Sequence, residues 1–279
     1  MTGSGPGADA LGSAPRRSGR VPALLLVPGV LGLVFLLLPL VGLLVRAPWS
    51  GLADLLSDPG VSKALRLSLL CATCATALSL VLGVPLAWLL ARVEFPGRRL
   101  VRALVTLPLV LPPVVGGVGL LAAFGKHGVL GPALAEVGLS LPFTTTGVVL
   151  AEAFVAMPFL VVTVEGALTG TDQRFEEAAA TLGASPWTTF RRVTLPLIAP
   201  SVGAGAVLCF ARALGEFGAT ITFAGNLPGT TQTMPLAVYI ALESNPDAAV
   251  ALALVLLAVS VAILLLLRDR WLRPHAETT

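Results

Sequence analysis

Five stretches of this chain run without a charged residue for about the length of a membrane crossing: Val21 to Val45, Leu67 to Leu90, Ala103 to Gly125, Val193 to Ala211 and Ala248 to Leu267. Roughly 20 helical residues cross about 30 Å of hydrocarbon. Inside a bilayer no water is present to bond backbone N–H and C=O groups, so such runs must close their own hydrogen bonds as helices. A sixth run, Gly147 to Leu168, carries only Glu152 near one end and Glu165 near the other. The expected fold class is all-α integral membrane with six transmembrane helices. Composition excludes a soluble domain, because only 12% of residues are charged and 56% are hydrophobic.

Lysine and arginine are retained on the cytoplasmic side of a membrane protein, so their distribution sets orientation. Arg16, Arg17 and Arg20 precede the first run, and Arg92, Arg98, Arg99 and Arg102 separate the second from the third. Arg174, Arg191 and Arg192 lie between the runs 147–168 and 193–211, and Arg268, Arg270 and Arg273 follow the last. Only Arg46, Lys63, Arg66 and Lys126 fall on the other side, with Arg212 inside a run. Both termini are expected in the cytoplasm. The chain then divides into a disordered cytoplasmic tail over 1–20, a transmembrane domain over 21–268 and a short cytoplasmic tail over 269–279. Arg16-Arg17 resembles an export signal, but no small-residue cleavage site follows and the apolar run exceeds a signal-peptide core, so the first helix is expected to be retained.

Other functions find little support. The net charge of +3 reflects this topological bias, and the arginines are scattered without interleaved aromatics, so nucleic acid is not an expected partner. Cys71 and Cys74 form a C-x-x-C inside one apolar run, with Cys209 in another and no histidine beside them, which reads as packing and not as a metal site. A phosphate-binding Walker A loop fails at Gly125-Lys126, where Leu120 replaces the first glycine and His127 the hydroxyl residue, so the chain is not expected to hydrolyse ATP. An ion-driven secondary transporter would show repeated halves with broken helices, and no convincing internal repeat is present.

The polar island between the run 147–168 and the run that ends at Ala211 carries the most information. It reads Glu177-Ala178-Ala179-Ala180-Thr181-Leu182-Gly183, nine residues, then Val193-Thr194-Leu195-Pro196. Helix formers from Phe175 to Leu182, a stop at Gly183 and a start at Ser185-Pro186 predict two short helices joined by a tight turn. Phe175, Ala179 and Leu182 form an apolar stripe suited to a groove, with Glu176 and Glu177 in the first turns favouring the helix dipole. Trp187, Phe190 and Val193 form a second stripe facing the bilayer or the other helices. The island resembles the EAA loop of ATP-binding-cassette importer permeases, the segment that docks on the ATPase subunit, with Val193 where isoleucine is usual. That resemblance implies an ATPase-coupling role for Glu177, Ala178, Ala179, Gly183, Leu195 and Pro196, within a loop spanning 172–196.

Two further segments narrow the family. Leu107-Pro108-Leu109-Val110-Leu111-Pro112-Pro113 opens the third run with three prolines, each removing a helix donor, so this helix is not expected to be straight. Arg212-Ala213-Leu214-Gly215-Glu216-Phe217-Gly218 is followed by Thr231-Gln232-Thr233-Met234-Pro235-Leu236. Together these resemble the permeases of molybdate importers, with sulfate/thiosulfate permeases as the alternative and tungstate left open. Gly117-Val118-Gly119 departs from the bulky apolar residues expected there. The resemblance implies a type I importer permease in a bacterial cytoplasmic membrane, N-in and C-in, working as a homodimer surrounded by lipid. Its implied partners are a pair of ATPase subunits, which hold the ATP, and an extracytoplasmic oxyanion-binding protein; no cofactor or metal is expected on the chain itself. Arg212 and Glu216 are pathway candidates because ionisable groups inside spans are functional by default. Thr231, Gln232 and Thr233 are pathway candidates as neutral donors near the outer mouth.

Overall fold

A computed structural model describes residues 23–271, and the tail expected over 1–20 and residues 272–279 lie outside the described residues. All regular structure there is helical. The chain divides after Val45. The first unit contributes α1, Ala23–Val45, apolar throughout with Pro28 and Pro39 inside it. The second unit carries the rest: α2 (Leu52–Ser57), α3 (Pro59–Arg92), α4 (Arg98–Thr106), α5 (Pro113–Phe124), α6 (Gly131–Glu136), α7 (Thr145–Gly170), α8 (Arg174–Thr181), α9 (Pro186–Thr189), α10 (Leu195–Leu214), α11 (Gly218–Ala224), α12 (Met234–Ser244) and α13 (Pro246–Trp271).

Among the described residues five helices have the length and apolar character to cross a membrane: α1, α3, α7, the rod Pro186–Leu214 built from α9 and α10, and α13. The remaining expected span, the third run, is a corner. Arg98–Leu109 and Pro113–Phe124 meet at 117°. Pro112 and Pro113 supply no N–H groups, and Pro113 starts α5, so the chain turns where the helix cannot continue. The crossing over Ala103 to Gly125, expected not to be straight, is thus built from α4, with its face of Arg98, Arg99 and Arg102, and a 12-residue α5. At 1.5 Å per residue α5 reaches only about 18 Å. α13 continues to Trp271, three residues into the tail expected over 269–279.

The core lies where α3, α7 and α10 pack together. Ala72, Ala75, Ala87, Ala153, Ala156 and Ala213 are at most 2% exposed there, with Leu160, Val164 and Ile198 filling between them. Lipid tails are as apolar as leucine, so helices in a bilayer associate through close backbone approach, which alanine permits. Cys71 and Cys209 are buried and unpaired, while Cys74 is exposed. Among the described residues no group of His, Cys, Asp and Glu is arranged to hold a metal ion.

Candidate functional site

The polar island forms two helices meeting at a tight turn. α8 ends in a Schellman motif: Gly183 N–H donates to the Ala180 carbonyl at 2.9 Å and Ala184 N–H to the Ala179 carbonyl at 3.0 Å. Gly183 adopts φ +82°. A side chain would meet strain there, which is why the motif requires glycine. Ser185 then caps the next helix, its Oγ accepting from Thr188 N–H at 3.2 Å, with Pro186 at the first helical position.

The second helix is not short, as the sequence had suggested; it continues through Thr189, widens to a π-turn over Phe190–Thr194 and runs on as α10 to Leu214. Pro196 explains the widening. Its ring displaces the Arg192 carbonyl and offers no N–H, and Leu195 N–H reaches back to Phe190 instead. The closing Leu195-Pro196 therefore marks a change of helical pitch at the base of a rod that enters the membrane.

On α8 the expected apolar stripe faces outward, with Phe175 56% and Leu182 89% exposed. Trp187 stacks on Phe190 at 5.8 Å, and Phe190 meets Trp88 of α3 edge-on at 6.4 Å. This second stripe fastens the base of the rod to α3.

The two glutamates part company. Glu177 and Ala178 are exposed and Ala179 half-buried. Glu176 turns into the bundle, where Arg92 Nη2 approaches its carboxylate at 3.1 Å and Thr194 Oγ1 donates to the same oxygen at 3.0 Å. Sequence reasoning missed this cluster, having used Arg92 only as a topological marker and Glu176 only for its helix dipole. Neighbouring arginines act similarly: Arg98 Nε donates to the Leu90 carbonyl at 2.6 Å and Arg102 Nε to Glu165 at 2.7 Å. Orphan carbonyls at the end of α3 thus receive charged donors.

At the other end of the rod Arg212 and Glu216 pair at 2.6 Å, with side chains 27% and 1% exposed. Glu216 lies beyond the end of α10, in the break before α11, and its Oε1 also accepts from Ala219 N–H at 2.9 Å. The i, i+4 spacing read from sequence brings them together, and the break gives Glu216 a second task as cap of α11. Thr231 is buried, and its Oγ1 accepts from Leu227 N–H at 2.8 Å, closing the turn. Thr233 is buried and Gln232 half-buried, and Ser68 of α3 rather than Thr233 accepts the Met234 N–H at 2.7 Å. A further carboxylate, Glu152 of α7, is 1% exposed and within electrostatic reach of Glu216. Its position in the sixth run gave no sign of this depth.

Helices long and apolar enough to cross a membrane several times, with an exposed apolar stripe on α8, define the class as a polytopic helical membrane protein. The chain belongs to the binding-protein-dependent transport system inner membrane component family, whose model matches residues 83–274. It is similar to the molybdenum transport system permease protein ModB of Mycobacterium tuberculosis, 48% identical over 231 residues, covering 83% of this chain and 88% of that one. Similarity to the sulfate transport system permease protein CysT of Escherichia coli is lower, 40% over 213 residues, covering 75% and 77%. Its fold matches a chain of a bacterial ABC transporter involved in import of the acidic polysaccharide alginate, with TM-score 0.70, 20% identity and coverage of 88% and 93%. The resemblance to ATP-binding-cassette importer permeases read from the motifs is borne out, and the chain is a multi-pass, non-catalytic component of the cytoplasmic membrane.

Proposed function

We propose that this chain is the permease subunit of an ATP-driven molybdate importer, working as a homodimer with an ATPase pair below and an oxyanion-binding protein above. The observation carrying the substrate is the 48% identity to a molybdenum permease against 40% to a sulfate permease. Molybdate, tungstate and sulfate are all tetrahedral dianions that hydroxyls, amides and backbone donors can hold, so the permease discriminates little and the binding protein selects. Sparse charge along the spans suits passage of the dianion, since a strongly cationic site would retain it.

The orientation is N-in and C-in. Arg92 bonded to Glu176, and Arg102 to Glu165, gather the two arginine-rich loops at one end of the bundle. That is the cytoplasmic end by the basic-residue rule, where the ATPase lies. α8 docks through Phe175, Ala179 and Leu182, with Glu177, Ala178 and Gly183 at the contact and Leu195-Pro196 at the base of the moving rod. ATP binding draws the two docking helices together and turns the pathway outward; hydrolysis resets it. Arg212, Glu216 and Gln232 lie towards the outer end as pathway residues, with Thr231 and Thr233 shaping the mouth.

Deleting the gene is expected to make molybdoenzyme activity depend on molybdate added at millimolar levels, while growth on sulfate as sole sulfur source stays normal. Sulfur auxotrophy with unchanged molybdoenzyme activity would transfer the assignment to the sulfate permeases.

Gly183→Asp tests the docking surface. A Cβ at Gly183 meets nothing within 4 Å in this chain. The intrinsic cost is therefore the left-handed backbone alone, about 1 kcal/mol. Membrane levels are expected to stay near normal while ATPase co-purification and uptake fall. A normal complex with normal uptake refutes docking at this turn.

A further inference from the structure

We propose that Glu176, held by Arg92, is the positioning residue that transmits movement of the docking helix into the membrane bundle. This rests on the reading that α8 docks on the ATPase. Glu176 and Glu177 are about 100° apart around one helix. One faces the partner and the other the bundle.

The grip on Glu176 is specific. Arg92 Nε lies 3.3 Å and 3.2 Å from the two carboxylate oxygens, and its Nη2 3.1 Å from one of them. The Arg92 side chain is 7% exposed and that of Glu176 19%. A forked, charge-assisted contact screened from water fixes direction as well as distance. Thr194, 1% exposed, adds its hydroxyl at 3.0 Å. One carboxylate thereby joins the last residue of α3, the first turn of the docking helix and the last residue of the π-turn.

The rest of α8 is loosely held. Thr171 to Gln173 link it to α7, and the Gly183 turn links it to the rod beginning at Pro186. Both links are short backbone segments about which a two-turn helix can swivel. With Glu176 fixed, a pull on α8 moves α3 and the foot of the rod together. Without it, α8 pivots and ATP is consumed with little displacement of the bundle. Arg92 belongs to α3, which packs along α7 and α10 in the core, so the pull enters the most extensive helix contacts of the chain.

The test uses the whole transporter in proteoliposomes with its ATPase and binding protein, reading ATP hydrolysed per molybdate imported. Glu176→Gln keeps the size and one acceptor oxygen but removes the charge, and Arg92→Gln shortens the side chain and removes both the charge and the guanidinium fork. Each is expected to keep the ATPase in the complex and raise that ratio about tenfold, the scale of a typical coupling free energy. The double variant should be no worse than either single, because one shared contact is lost only once. Thr194→Val, nearly isosteric, should raise the ratio by a smaller factor. An unchanged ratio in all three single variants, or strictly additive effects in the double, overturns the proposal. So does loss of the ATPase from the Glu176→Gln complex alone, which would make Glu176 part of the docking surface. The docking reading is checked separately by a photo-cross-linker at Leu182 in the unaltered background. Capture of the ATPase there with an unchanged ratio removes only the transmission role, and failure of capture removes the docking reading and the inference with it.

Discussion

Replacing Glu216 by alanine is expected to remove most of the transporter from the membrane and abolish uptake, the largest single-residue effect in the bundle outside the docking loop. The carboxylate is 1% exposed and does two jobs, neutralising Arg212 at 2.6 Å and accepting the Ala219 N–H at 2.9 Å. Removing one partner of a buried ion pair strands the other, which costs about 3–5 kcal/mol. The orphaned N–H at the start of α11 adds about 1–3 kcal/mol more. Glu216→Gln keeps an oxygen for Ala219 and should retain part of the protein. The exchange Arg212→Glu with Glu216→Arg restores opposite charges but leaves no acceptor for Ala219, so it should recover less than Glu216→Gln. Thermal unfolding of the purified complex, with uptake measured in parallel, ranks the variants. Full recovery by the exchange would show that the ion pair alone matters and the cap does not.

Gly117→Leu is expected to have the next largest effect. A Cβ at this position of α5 would lie 2.6 Å from Thr222 Cβ and 2.9 Å from the Ala219 carbonyl oxygen of α11. Neither is the free end of a flexible side chain. α5 and α11 must separate, and overpacking of this kind costs about 1–3 kcal/mol. The separation also moves Glu216, since the Ala219 N–H that it accepts lies on the displaced helix. Gly119 is the internal comparison, because a Cβ there meets nothing within 4 Å. Gly119→Leu should therefore leave membrane level and melting temperature close to normal. Equal loss at both positions would locate the sensitivity in the composition of α5 and not in its contact with α11.

The contrast between these two glycines shows where sequence reading stops. Both stand in the Gly117-Val118-Gly119 departure from the expected bulky residues, and nothing local distinguishes them. Only the approach of α11 makes one obligatory. Thr231 is similar: the sequence offers a hydroxyl near the outer mouth, but the fold buries it against Leu227 N–H. Arg92 and Glu176 are 84 residues apart, so no spacing rule could join them.

What the sequence determined by itself are the features whose cause is local. Runs of apolar residues must form helices in hydrocarbon whatever surrounds them, and five long helices and a bent pair result. Gly183 ends α8 and Ser185-Pro186 begins the next helix through contacts of a few residues, which is why that turn could be read in advance. The prolines near Pro112 announced a bend but not its 117°, because the angle is set by what α5 packs against. The tertiary structure alone decided that Arg92 pairs with Glu176 and Arg102 with Glu165, which polar groups are buried and which of two adjacent glutamates faces inward. Those depend on segments far apart in the chain, brought together only when the helices associate.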